Sequence, residues 1–184
     1  MEVRTNYFVF TGAMGAGKSA VVDRLSARGT ACVAEPARQI LKEQRSFTGS
    51  GVPETDAGLF NQLMLSRAVN LYQTNAEKQG PVVFDRGIAD LVAYAELFGI
   101  DTSVYLRAAE VYRYNPTVLY FGGWREIYTL DEERKMSFEL ANEFGNNAQE
   151  VYARLGYKTV EVPKASVEDR VAFVLQVLGR KMSG

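Results

Sequence analysis

The run Tyr7-Phe8-Val9-Phe10-Thr11-Gly12-Ala13-Met14-Gly15-Ala16-Gly17-Lys18-Ser19 joins a short apolar segment to a glycine-rich turn and then to the first residues of a helical pattern. Gly12 to Ser19 matches G-x-x-x-x-G-K-[ST] in full, after a strand signal and before a helix signal, which is the context the motif requires. Glycines let the backbone curl so that successive N–H groups face inward, and the helix that follows directs its positive end at the same point. The predicted nucleotide-contacting set is Gly12, Ala13, Met14, Gly15, Ala16, Gly17, Lys18, Ser19 and Ala20. Lys18 is expected to reach the β- and γ-phosphates, and the Ser19 hydroxyl to hold Mg²⁺. A turn that served the fold alone would require neither the lysine nor the serine.

Beyond this loop the chain alternates short apolar runs with longer stretches of helical period, the pattern of a parallel sheet covered by helices. Five strands are predicted: Tyr7 to Thr11, Ala31 to Ala34, Val82 to Asp85, Thr117 to Phe121 and Thr159 to Val162. Runs such as Phe8-Val9-Phe10 suit strands buried on both faces. Helices are predicted over Lys18 to Arg28, from Asp56 as cap to about Lys78, and near Ile88 to Phe98, Thr102 to Arg113, Met136 to Leu155 and Ser166 to Leu178. Arg45 to Glu54 and Gly122 to Glu133 are the two segments expected to be mobile loops or a lid. No linker or repeat divides residues 1 to 184, so one α/β domain is expected.

Ligands of an open parallel sheet gather at the carboxyl ends of its strands, which directs attention to the polar residues closing each apolar run. Val82-Val-Phe-Asp85-Arg86 places an acidic residue where a second Mg²⁺ contact belongs, and an arginine beside it for the transferring phosphate. Ala34-Glu35-Pro36-Ala37-Arg38 offers Glu35 as a general base toward an acceptor hydroxyl; its alternative reading is a helix-start residue ahead of Pro36. Trp124-Arg125-Glu-Ile-Tyr128 and Arg134 follow a Gly-Gly hinge, so Arg125 and Arg134 are candidates to close over the triphosphate and Tyr128 to touch substrate. A solvated, charged lead into a helix, capped by Asp131, is the competing reading. Tyr105, Tyr112, Tyr114 and Phe98 read as core or half-buried residues before they read as a stacking wall.

Composition excludes several classes. With one cysteine, Cys32, and no histidine among 184 residues, there is no internal disulfide, no zinc site of Cys/His type and no histidine-based triad. The 21 basic and 22 acidic residues nearly cancel, so no global field gathers nucleic acid. No apolar segment approaches the roughly 20 residues of a membrane span. The opening residues lack a signal-peptide pattern, and a cytoplasmic protein is the expectation.

TGAMGAGKS, AEPAR, VVFDRGIADLVAY, WREIYTLDEER and YKTVEVPKASVEDRVAFVL together resemble the AAA-type predicted ATPase group related to the ribosylnicotinamide kinase domain of the bifunctional NAD-biosynthesis regulator. Glu35-Pro36 and Asp85-Arg86 are more distantly similar to pairs in deoxyribonucleoside and thymidylate kinases, although the former usually carry Glu-Arg-Ser where this chain has Asp85-Arg86-Gly87. The resemblance implies a phosphate-loop kinase sheet of order 2-3-1-4-5. It also implies Glu35 and Arg38 on the acceptor side, Asp85 and Arg86 serving metal and phosphate, Arg125 and Arg134 in the lid, and a loop from Pro163 through Ala165 to Ser166 near the base.

The leading expectation is therefore a Mg²⁺-dependent kinase or ATPase using ATP and a small-molecule acceptor. A regulatory nucleotide switch acting on a protein partner is the second. ATP is favoured over GTP because no Asn-Lys-x-Asp guanine-reading motif is present. The sequence leaves monomer and homodimer open.

Overall fold

The computed structural model describes residues 2–129 and 136–182. Its central sheet is built from β2 (Tyr7–Gly12), β3 (Ala31–Val33), β4 (Val82–Asp85), β6 (Thr117–Phe121) and β7 (Lys158–Glu161). All neighbours are parallel and the spatial order is β3-β4-β2-β6-β7. Numbered within that sheet alone, this is the expected 2-3-1-4-5. Each strand terminus lies within two residues of its predicted place.

Alternation along the strands divides the core between two faces. Tyr7, Val9, Val82, Phe84 and Val118 point into a cluster with Ile88, Val92, Phe144 and Val151 from helices α4 (Ile88–Leu97) and α6 (Phe138–Arg154). Phe8, Phe10, Val83, Leu119 and Phe121 point the other way, against Val21 and Leu25 of α1 (Lys18–Ala27) and Val171, Val174 and Leu178 of α7 (Val167–Met182). A strand buried on both sides needs apolar residues at every position, which is why β2 reads as a continuous hydrophobic run. Helices α3 (Ala57–Thr74) and α5 (Ser103–Val111) both pack on α4.

Three features differ from expectation. β1 (Glu2–Val3) pairs in parallel with β5 (Tyr112–Arg113), where the helical pattern from Thr102 had been expected to continue to Arg113. Two-residue strands carry no periodicity from which to read them. Helix α3 stops at Thr74 because the Asn75 amide donates to Leu71 O at 2.7 Å; its start is as predicted, with Asp56 Oδ1 accepting from Leu59 N at 2.8 Å. The segment 45–54 is not an open loop. Arg45 and Ser46 belong to α2 (Ala37–Ser46), and the chain after them folds back, Gly51 N donating to Gln44 Oε1 at 3.0 Å and Arg45 Nη2 lying 3.0 Å from Glu54 Oε1.

Candidate active site

The phosphate loop begins where β2 meets the backbone of β6. Gly12 has φ +117, and Ala13 N donates to Phe121 O at 2.9 Å. The loop closes at Gly17, φ +79, which precedes Lys18 at the start of α1 without any side-chain cap. The first N–H groups of α1 therefore have no side-chain acceptor and are available to an anion. Lys18 is buried, and its Nζ donates to Ala13 O at 2.7 Å. Burial and then the nearby Arg86 cation lower its pKa to about 7, against the opposing pull of Asp85, Glu35 and Asp90.

At the end of β4 stand Asp85 and Arg86. Arg86 adopts the left-handed region at φ +71, uncommon for a side chain with Cβ, and is anchored there by its N–H donating to Phe10 O at 2.9 Å. Its guanidinium is almost fully buried over the Phe144 ring, 4.9 Å from the centroid. Nη1 donates to Gly12 O at 3.1 Å and to Asp90 Oδ1 at 3.0 Å. Nε lies 3.0 Å from Glu35 Oε1 but is not aligned for a hydrogen bond, so that contact is Coulombic. Burial works against the Arg86 charge, but Glu35, Asp90 and Asp85 outweigh it and raise the pKa further. Burial likewise raises the pKa of Glu35, with Arg86 opposing. Glu35 does not cap α2: the cap position is Pro36, with no side-chain cap hydrogen bond.

These groups open on a cavity of about 700 Å³. It is lined by Gly15, Gly17, Lys18, Ser19 and Ala20 of the phosphate loop and α1, by Asp85, Glu35, Arg38 and Arg86, and by the apolar or aromatic Phe60, Met64, Leu91, Tyr94 and Phe98. Among the described residues no cluster of three or more acidic, His or Cys side chains could hold a metal unaided. Asp85 Oδ1, however, is buried without a hydrogen-bond partner, in the same cavity as the Ser19 hydroxyl. One carboxylate and one hydroxyl suit a hard cation that takes its remaining ligands from phosphate and water.

Other predicted residues lie elsewhere. Arg125 is two-thirds exposed and paired with Glu139 at 2.7 Å, its guanidinium 4.3 Å from the centroid of Phe138, so in this structure it is spent on α6 and not on the phosphate loop. The Tyr128 hydroxyl donates to Met136 O, and neither Tyr128, exposed Pro163 nor half-buried Ala165 lines the cavity. Arg134 and Asp131 lie outside the described residues. Tyr105 and Tyr114 are core, whereas Phe98 is part of the cavity wall.

Three contributors were not anticipated. Asp90 lies in the first turn of α4, and the turn through left-handed Arg86 and Gly87 brings the Arg86 guanidinium back onto it at 3.0 Å. Arg170 is buried between Phe121 and Trp124, and its Nη2 donates to Ala16 O of the phosphate loop at 2.8 Å. Gly145 of α6 lies against Ala13, whose backbone N would be 2.5 Å from an added Cβ.

Residues 7–170 match the family model described as AAA domain. The chain belongs to the AAA-domain family. A search of curated protein sequences gives no match. Among solved structures, this AAA-domain chain is similar to deoxyadenosine kinase from M. mycoides with dCMP and dCDP bound, at TM-score 0.69 and 15% identity, over 95% of this chain and 99% of that one. It is similar to NadR protein in complex with NR at TM-score 0.68 and 16% identity, over 96% of this chain and 50% of that one, so it spans half the NadR chain. Thymidylate kinase from Ehrlichia chaffeensis gives TM-score 0.63 and 15% identity, over 97% and 100%. At these identities the likeness is one of fold: this AAA-domain chain shares the phosphate-loop fold of those kinases. No helix among its described residues is long and apolar enough to cross a membrane.

Proposed function

We propose that residues 1–184 form one kinase domain that binds Mg·ATP at the phosphate loop and transfers the γ-phosphoryl group to a hydroxyl of a small, ring-bearing acceptor of nucleoside or nucleotide type. The observation that carries this reading is that one chamber, lined by the phosphate loop and by apolar and aromatic side chains, also has Glu35 in its wall, with Arg86 beside it. A protein that only hydrolysed ATP or switched on it would have no use for such a chamber. The printed names of the structural relatives, which act on nucleosides and nucleotides, support the acceptor class.

In this mechanism the Lys18 ammonium leaves Ala13 O for the β- and γ-phosphates, and Ser19 and Asp85 would hold Mg²⁺, which supplies charge neutralisation across the phosphates. The acceptor hydroxyl attacks the γ-phosphorus as its proton passes to Glu35, and the bond from phosphorus to the bridging oxygen breaks with its electron pair leaving on ADP. Burial raises the proton affinity of Glu35, which suits that task. Arg86 stabilises the charge on the transferring group, and Arg38, which also lines the cavity, faces the acceptor.

Glu35→Gln is expected to lower acceptor-stimulated ADP formation about 10²-fold while ATP affinity holds within about threefold. The measurement is Mg·ATP turnover against a panel of nucleosides and nucleotides. Equal turnover by wild type and Glu35→Gln with every acceptor would remove Glu35 as base.

A pH effect follows from Lys18. Free, with a pKa of about 7, it is mostly neutral at pH 8; beside a triphosphate its pKa must rise, so binding draws in a proton. At pH 6 the lysine is already charged and no uptake is expected. Calorimetric titrations in buffers of different ionisation enthalpy should give up to about one proton at pH 8 and close to none at pH 6. Uptake equal at both values would contradict the assignment.

A further inference from the structure

We infer that Asp90, held by Tyr152 and Thr11, is a positioning residue that fixes Arg86 for contact with the terminal phosphate of the triphosphate, an inference that rests on the phosphoryl-transfer reading above. Asp90 is 1% exposed and both its oxygens are engaged. Oδ1 accepts from Thr11 Oγ1 at 2.6 Å and Arg86 Nη1 at 3.0 Å; Oδ2 accepts from Tyr152 OH at 2.8 Å and Gly87 N at 2.9 Å. Four donors from β2, the β4–α4 turn and α6 converge on one carboxylate. A buried charge with that many donors is immobile, because any rotation would strand several of them.

The consequence lies in how Arg86 distributes its hydrogens. Nη1 is used on Gly12 O and Asp90, and Nε faces Glu35. Nη2 has no partner among the described residues, and Arg86 lines the cavity next to Lys18 and Asp85. Asp90 thereby leaves one edge of the guanidinium for an anion and prevents the side chain from turning wholly toward Glu35, which would weaken the base. Helix α6 takes part through Tyr152 and through Phe144 beneath the guanidinium plane. None of these groups touches a reacting atom; they act through Arg86.

The test compares ATP and ADP affinity, measured by calorimetry with Mg²⁺ present, in Asp90→Asn, Tyr152→Phe and Arg86→Lys. Asp90→Asn should lower the preference for ATP over ADP about tenfold with ADP affinity unchanged, and Tyr152→Phe about threefold. In the Arg86→Lys background Asp90→Asn should have no further effect, since its route is gone. Unchanged ATP preference in a folded Asp90→Asn, or effects additive with Arg86→Lys, would overturn the inference. Should Asp90→Asn not fold, Tyr152→Phe decides: it keeps the ring and removes one bond, and wild-type preference in it refutes the role. Turnover is scored separately. A wild type that transfers phosphate to no acceptor, yet loses ATP preference in Asp90→Asn, would refute the kinase reading and leave the positioning role standing.

Discussion

Lys18→Ala is expected to reduce acceptor-dependent turnover about 10³-fold and to weaken ATP binding to a similar degree, with the free protein losing no more than about 1 kcal/mol of stability. The asymmetry follows from its surroundings. In the absence of ligand the amine is buried beside the Arg86 guanidinium, with its pKa lowered to about 7 by burial and that neighbour. Its one hydrogen bond goes to Ala13 O. Removing it sacrifices that bond and the attraction of Asp85, Glu35 and Asp90, but relieves the burial of a charge and the repulsion from Arg86, so the terms for the fold nearly cancel. When triphosphate is present the same amine faces several negative oxygens in a water-poor cavity, where charge–charge attraction is at its strongest. Melting temperature and ATP titration on the same sample check both halves. Near-normal ATP affinity would mean that triphosphate is held by the loop backbone alone, and a large fall in melting temperature would make Lys18 a structural residue.

The parts of this molecule legible in its sequence are those governed by local pattern. Gly12 to Ser19 between a strand and a helix signal gave the loop, and apolar runs gave β2, β4 and β6, because a strand buried on both faces admits little else. Asp85 and Glu35, which line the cavity, stand out in the sequence as polar residues that close a strand. What escaped depends on contacts across the fold. Asp90 reads as one polar residue in a helix, and only the meeting of Thr11, Arg86 and Tyr152 in space makes it a hub. Arg170, more than 150 residues after Ala16, carries no local sign that it supports the phosphate loop. Arg125 illustrates the converse: the Gly-Gly hinge and lid position suggested a finger, but Glu139, 14 residues later, takes its charge.

Gly12 joins the fold and the site in a single residue, so Gly12→Ala should damage both. The motif suggests that glycine is there for phosphate. The structure adds a second reason: a Cβ on Gly12 would lie 2.2 Å from Phe121 O and 2.8 Å from both Phe121 C and Phe121 N. Those atoms belong to β6, paired with β2 at this residue and buried, so they have nowhere to move. Positive φ in a residue with Cβ costs about 1–3 kcal/mol, and forcing an atom into a packed interior about as much again. The Ala13 to Phe121 hydrogen bond would also be lost or stretched. A destabilisation of at least about 3 kcal/mol is expected in denaturant unfolding. Gly29→Ala supplies the control, since Gly29 also has positive φ, +87, but nothing within 4 Å of an added Cβ, and it should cost about 1 kcal/mol. Equal losses in the two variants would mean that backbone conformation, and not contact with β6, sets the requirement at Gly12. Where Gly12→Ala still folds, ATP preference should fall as well, because Gly12 O is one of the two acceptors that hold Arg86 Nη1.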